Sequence, residues 1–391
     1  MPETSPTRED PPSPPERRHP RLVLIALMGL SATALFALLP YLALYLKQQF
    51  ALSNAAAGLV VGSIALVSSG GAWAGGMLAD RLGWLRMLRL AAALYVLVFA
   101  ALFAARSAEA AIALILLIGL CRLLMEPALK SALVQYDDGS GRLFRLRYMT
   151  LVGGAILGPL LATGMAPYGP QSCFAVSAVA FALFLATSTR LRAEPTPARD
   201  DTAPLTVDRW AVTGLISLGF VFFLAFSQYE STLSLRLDAA FVPGGPAVYR
   251  RALFINAALA IPAMYLSERT IARLPMRVQV AIGVVALTAA LWLLFGAAPA
   301  QWCVGLGAVL FTLGEVILFP LPDIAAARLA TSENRGRLMG LIDLRYLGFF
   351  AGPAMGGALL DHSATLLASV LCLLAVAIFP IYLLNEKRLQ R

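Results

Sequence analysis

Four ionisable residues interrupt apolar stretches where a charge is expensive. Arg122 and Glu126 stand four apart in "CRLLMEP", Glu230 follows Gln228 and Tyr229 in "FSQYESTLSL", and Glu315 lies in "LGEVILFPLP". Charges at such positions mark substrate or proton pathways by default. Residues four apart share a helical face, so Arg122 and Glu126 read either as a structural ion pair or as an acid whose protonation depends on its neighbour. Glu230 falls near the end of its stretch, where a solvated carboxylate needs no function. Glu315 falls deeper and has the stronger claim to load and release a proton. Asn256 and Tyr41 offer polar contacts to a substrate, or equally to a neighbouring helix.

The elements that must position these groups are set by composition. Hydrophobic residues make up 59% of the 391 residues and charged residues 14%, against roughly 25% charged in a soluble domain. About 20 apolar residues cross a bilayer core. Twelve stretches meet or approach that length: 21–46, 54–78, 86–105, 109–134, 143–166, 171–190, 210–235, 248–268, 278–298, 300–327, 337–360 and 364–384. The runs are continuous rather than alternating, which excludes a membrane barrel and predicts an all-α membrane protein. The run from Arg21 is too long for a signal-peptide core and reads as a retained span.

A net charge of +9 reads here as topology. With the N-terminus in the cytoplasm, 25 of the 31 Lys and Arg fall in or beside cytoplasmic segments, as the positive-inside rule requires. Both termini are therefore expected inside, in a bacterial inner membrane. The Pro- and charge-rich segments 1–20 and 191–209 read as a disordered tail and a flexible linker. They leave two six-span halves, 21–190 and 210–391.

The halves repeat each other. A shift of 195 places Gly119 on Gly314, Pro127 on Pro322 and Gly141-Arg142 on Gly336-Arg337. A shift of 194 places Gly154, Gly158 and Pro159 on Gly348, Gly352 and Pro353, and one of 188 places Asp80-Arg81 on Glu268-Arg269. Six spans per half give the copies the same orientation, a parallel-repeat transporter plan.

Two motifs carry a resemblance. "GGMLADRLGWLRMLR", with Gly76, Asp80, Arg81 and Gly83, resembles the signature between the second and third helices of the major facilitator superfamily. "GGAILGPLLATG", with Gly154, Gly158 and Pro159, resembles that superfamily's fifth-helix antiporter motif, and Arg122 its helix-four arginine. The resemblance spans nearly the whole chain and is strongest to the twelve-helix drug:proton antiporter group. It implies a proton-coupled exporter of a small organic compound, with two halves alternating access to a midplane site. The second copy of the first motif, "LSERTIARLPMR", lacks the glycines.

Physical logic supports the same roles. Glycines at 75 and 76 allow close helix approach. Asp80 weakens a positive-inside signal, so it reads as a latch to a helix N-terminus or a loop arginine; Arg86 and Arg89 read as topology anchors. Gly154, Gly158, Pro159, Gly352 and Pro353 read as a hinge or seal. No enzyme signature is present. The two histidines, His19 and His362, lie outside the spans, no phosphate-binding loop occurs, and the four cysteines have no metal spacing. No cofactor, metal or nucleic acid is expected. The partners are substrate, protons and lipid, and the working unit is a monomer. A metabolite or siderophore importer of the same fold, or a receptor or scaffold that does not transport, are the other readings.

Overall fold

The computed structural model of the chain describes residues 14–52, 54–165, 168, 171–192, 208–241, 244–296, 300–331 and 333–389. Most of the expected tail and of the expected linker lies outside these residues. Apolar runs become helices because a helix satisfies every backbone polar group within itself, which lipid demands.

In the first half these are α1 (Pro14–Phe50), α2 (Asn54–Gly70), α3 (Ala72–Leu82), α4 (Trp84–Ala104), α5 (Ala108–Tyr136), α6 (Arg142–Met165) and α7 (Ser172–Ser188). The second half holds α8 (Arg209–Glu230), α9 (Thr232–Ala240), α10 (Gly245–Arg269), α11 (Met276–Leu291), α12 (Gln301–Leu318), α13 (Leu321–Leu329), α14 (Arg335–Ile342), α15 (Leu347–His362) and α16 (Ala364–Leu389). The helix α1 starts at Pro14, inside the segment expected as tail.

Among the described residues, seven helical stretches are long and apolar enough to cross a membrane, and α2–α3 does so as a pair bent by 51°. Three of the other four expected spans are shorter or less apolar for local reasons. Helix α7 has 17 residues. Helix α10 carries Arg250, Arg251 and Asn256. The eleventh span is split by a 3-10 turn, Asp343–Tyr346, between α14 and α15.

Two apolar clusters form the core, one built from residues before the linker and one from residues after it. Each borrows from the other half: Ile324 joins the first, and Tyr148 the second. In the first, Tyr95 stacks on Phe181 at 4.0 Å; in the second, Tyr229 stacks on Phe311 at 4.1 Å. Large apolar side chains such as Leu59, Leu97, Phe254 and Leu384 are exposed, as the lipid-facing surface of a helix bundle requires.

The repeated glycines bring helix backbones together in both halves. Gly154 and Gly158 of α6 lie on Ala32, Thr33, Phe36 and Ala37 of α1. Their repeats Gly348 and Gly352 of α15 lie on Phe220, Leu224 and Ser227 of α8. Both α6 and α15 run unbroken through Pro159 and Pro353. In α5, Pro127 cannot donate to the carbonyl of Leu123, and Gly75 of α3 packs on that carbonyl.

Candidate functional site

The first element is a junction between the halves at the arginine-rich end. Helix α14 has no cap of its own, because the Asn334 side chain accepts from Thr331 N instead. Its second and third N–H groups are the ones a capping side chain ordinarily takes. Here they donate to Asp80, from Gly336 N to Oδ1 and from Arg337 N to Oδ2, both at 2.7 Å. Asp80 is buried, so these are charge-assisted bonds at the positive end of a helix, shielded from water. The contact requires glycine: a Cβ on Gly336 would sit 2.6 Å from the Gly76 carbonyl oxygen. Gly83, at φ 86°, turns the chain from α3 into α4 in a conformation other residues avoid. Arg81 stands exposed in the last turn of α3. Arg86 is exposed, whereas Arg89 donates to the carbonyls of Ser188 and Leu191 at the end of α7.

The repeated copy of this junction is built differently. Helix α6 is capped from its own loop, with Asp137 accepting from Gly141 N (2.8 Å) and Leu143 N (3.1 Å). Glu268, the repeat of Asp80, therefore finds no free N–H pair and meets the Arg142 side chain at 3.0 Å. That pair is partly exposed, and such pairs contribute little, about 0–1 kcal/mol.

The second element lies beneath the junction. Six charged groups gather there, three from each half. Lys130 of α5, fully buried, places its ammonium 3.1 Å from Asp323 of α13 and in direct contact with Asp343. Arg345 donates to Asp323 at 2.7 Å. Its guanidinium also lies over the Tyr346 ring, 5.0 Å from the centroid. Arg147 of α6 binds Glu126 and reaches Asp323 at 4.0 Å. Three acids face three bases, so the cluster is neutral as a whole. Removing any one member would strand a charge where desolvation is severe. Glu126 is thus held across to α6 by Arg147, not along its own helix by Arg122.

Arg122 has no ion pair among the described residues. With Glu126, Arg147, Ser31 and Phe36 it lines a cavity of about 60 Å³ between α1, α5 and α6.

The third element surrounds Glu315. This carboxylate is buried in α12 and accepts from Asn256 Nδ2 at 2.7 Å; the same amide donates to Thr312 at 3.0 Å. Tyr148, from the other half, lies beside it. No cation pairs with Glu315 among the described residues.

The remaining sequence candidates occupy scaffold positions. Gln228 is fully buried, donates to Gly352 O at 2.8 Å and accepts from Thr232 at 2.6 Å, tying α8 to α15. Tyr229 donates to Ala252 O at 2.7 Å, tying α8 to α10. Glu230 is exposed at the last turn of α8. Tyr41 lies in α1, and its side chain is outside what the structure describes. Sequence reading passed over Lys130, Arg147, Asp343 and Arg345. Lys130 and Arg147 lie near span ends and counted as topology charges. Arg345 was counted with them, although it and Asp343 lie inside 337–360, where a charge carries the same signal as Glu315. Among the described residues no cluster of three His, Cys, Asp or Glu is arranged to hold a metal ion.

Comparison with known proteins places this arrangement. The Major Facilitator Superfamily model matches residues 24–353. The chain is 25% identical over 356 residues to an uncharacterized MFS-type transporter, YqjV, of Bacillus subtilis, covering 87% of this chain and 85% of that protein. It is 27% identical over 311 residues to the multidrug resistance protein MdtH of Cronobacter sakazakii, covering 77% and 75%. In fold it is similar to the human organic anion transporter MFSD10, with a TM-score of 0.73 at 18% identity over 94% of this chain and 100% of that one. It is similar also to FucP in its outward conformation, with a TM-score of 0.76 at 15% identity over 94% and 99%. Two parallel six-helix repeats, locked together at the arginine-rich end, are those of a transporter, and the chain belongs to the Major Facilitator Superfamily.

Proposed function

We propose that this protein is a proton-coupled exporter of a small organic compound, working by alternating access in a bacterial inner membrane with its arginine-rich end in the cytoplasm. The carrying observation is the six-charge cluster shared by the halves. Opening this end must separate Lys130 from Asp323 and Asp343, and Asp80 from α14. A conformational change with so large an electrostatic component responds to any proton that alters the balance, provided the proton binds the two states differently. Glu315 suits that proton best. Glu126 is held by a fixed arginine, whereas Glu315 is bonded to a neutral amide and lies beside Tyr148 of the opposite half. Substrate would bind between the halves, with Arg122 available to an anionic group. Export, rather than import, is favoured by the likeness to MdtH, named a multidrug resistance protein.

The test is proton flux in proteoliposomes carrying an internal pH dye, screened with amphipathic cations and organic anions. A substrate should drive proton movement in the wild type. Glu315→Gln, which keeps a partner for Asn256, should bind that substrate without moving protons. Unaltered flux in Glu315→Gln, or no flux with any compound, would refute the proposal; reversing the imposed gradient separates export from import.

A further inference from the structure

The degenerate copy of the junction leaves a gap where the first copy is closed. At the first, Gly76 of α3 meets Gly336 of α14 backbone to backbone. The shift of 188 puts Met264 at the place of Gly76, and its buried side chain occupies the space a glycine would leave. Beside this junction lies a cavity of about 210 Å³, lined from one half by Ser140 and Arg145 and from the other by Leu274, Met276, Gln279 and Arg328.

The chemistry of its walls is unbalanced. Arg145 is only 9% exposed. One of its nitrogens donates to Ser140 O at 2.7 Å, while its buried Nε has no partner. Arg328 makes no ion pair among the described residues. The acids nearby are committed elsewhere: Glu268 to Arg142, Asp137 to the first turn of α6, and Asp138 to Arg21 and Ser140 N. Two guanidinium groups therefore line the cavity without an ion pair among the described residues, Glu268 and Asp137 acting on Arg145 only from a distance. The 16-residue helix α11 begins at its rim with Met276 and adds the positive end of its dipole. A buried donor without an acceptor is costly enough to call for one.

We propose that this cavity binds a phosphate-class anion, held by Arg145 from one half and Arg328 from the other. Because its walls belong to both halves, the bound anion would add to the closure that Asp80 provides on the opposite side. A lipid phosphate headgroup and free inorganic phosphate share this chemistry.

Purified full-length protein would be followed by thermal unfolding in two arms. In neutral detergent, inorganic phosphate is titrated against chloride at fixed ionic strength. In nanodiscs, phosphatidylglycerol is compared with phosphatidylcholine. Saturable stabilisation by phosphate identifies a free anion, and stabilisation confined to phosphatidylglycerol identifies a headgroup. In either case Arg328→Gln, on an exposed side chain that should fold, must weaken the effect about tenfold or more, and Arg145→Gln must abolish it. Arg250→Gln, an exposed arginine of α10 distant in sequence from the cavity, must leave it unchanged. Equal stabilisation by chloride and phosphate with no lipid preference, or full stabilisation retained in Arg328→Gln, would overturn the proposal.

Discussion

Asp80→Asn isolates the junction between α3 and α14 at almost no change in size. The aspartate accepts two N–H bonds at 2.7 Å. Asparagine keeps one acceptor oxygen and turns an NH2 toward the other donor, so one bond is lost and the other loses its charge. A hydrogen bond to a charged group contributes about 1.5–3 kcal/mol, and a charge at a helix N-terminus about 0.3–1 kcal/mol more. The closed form should therefore lose about 2–4 kcal/mol relative to the open one. With about 1.4 kcal/mol per factor of ten, that is a shift of roughly 30- to 1,000-fold in the equilibrium. Spin labels at Arg86→Cys and Glu333→Cys, both exposed and on opposite halves, would read it; the native cysteines are buried or half-buried. The wild type should give a short distance, and Asp80→Asn a second, longer population with transport lost and membrane insertion intact. An unchanged distance distribution together with normal transport would refute the reasoning, because it would mean that α14 does not need Asp80 as its cap.

Lys130→Met should be destabilising by about 3–5 kcal/mol, since Asp343 is left buried without its cation. Thermal unfolding of Lys130→Met beside the Lys130→Met/Asp343→Asn double variant measures this, and recovery of at least half the loss in the double variant is expected. Gly352→Ala should cost about 1–3 kcal/mol or more by overpacking, because its Cβ would fall on Ser227 Oγ and lie 2.9 Å from Gln228 Nε2 and 3.0 Å from Leu224 O. Gly357→Ala, with nothing within 4 Å, is the matched control and should melt like the wild type.

Much of the architecture was legible because bilayers make local demands. Span length and internal repetition are properties of the chain read in order. Asp80 was legible for a related reason: an acid among topology arginines needs another explanation, and a helix N-terminus was one of the two partners expected for it. What the repeat could not convey is that the copies differ in capping. Asp137 serves α6 from its own loop, α14 has no such residue, and so Asp80 and Glu268 take different partners. The candidates on α8 show a second limit. "QYE" places three polar groups in a row, but successive residues point 100° apart around a helix. One turns to α15, one to α10, and one to the surface, and no count of polar residues says which.

The sequence alone determined the number of spans, their pairing into two like-oriented halves and the family they resemble, since hydropathy and repetition need no knowledge of neighbours. The tertiary structure alone decided which charges meet. Lys130 and Asp343 are 213 residues apart, and Glu126 passes over Arg122, four residues away, for Arg147. Helix rotation and the closing of one half on the other set those partners, where a buried charge left without one is costly.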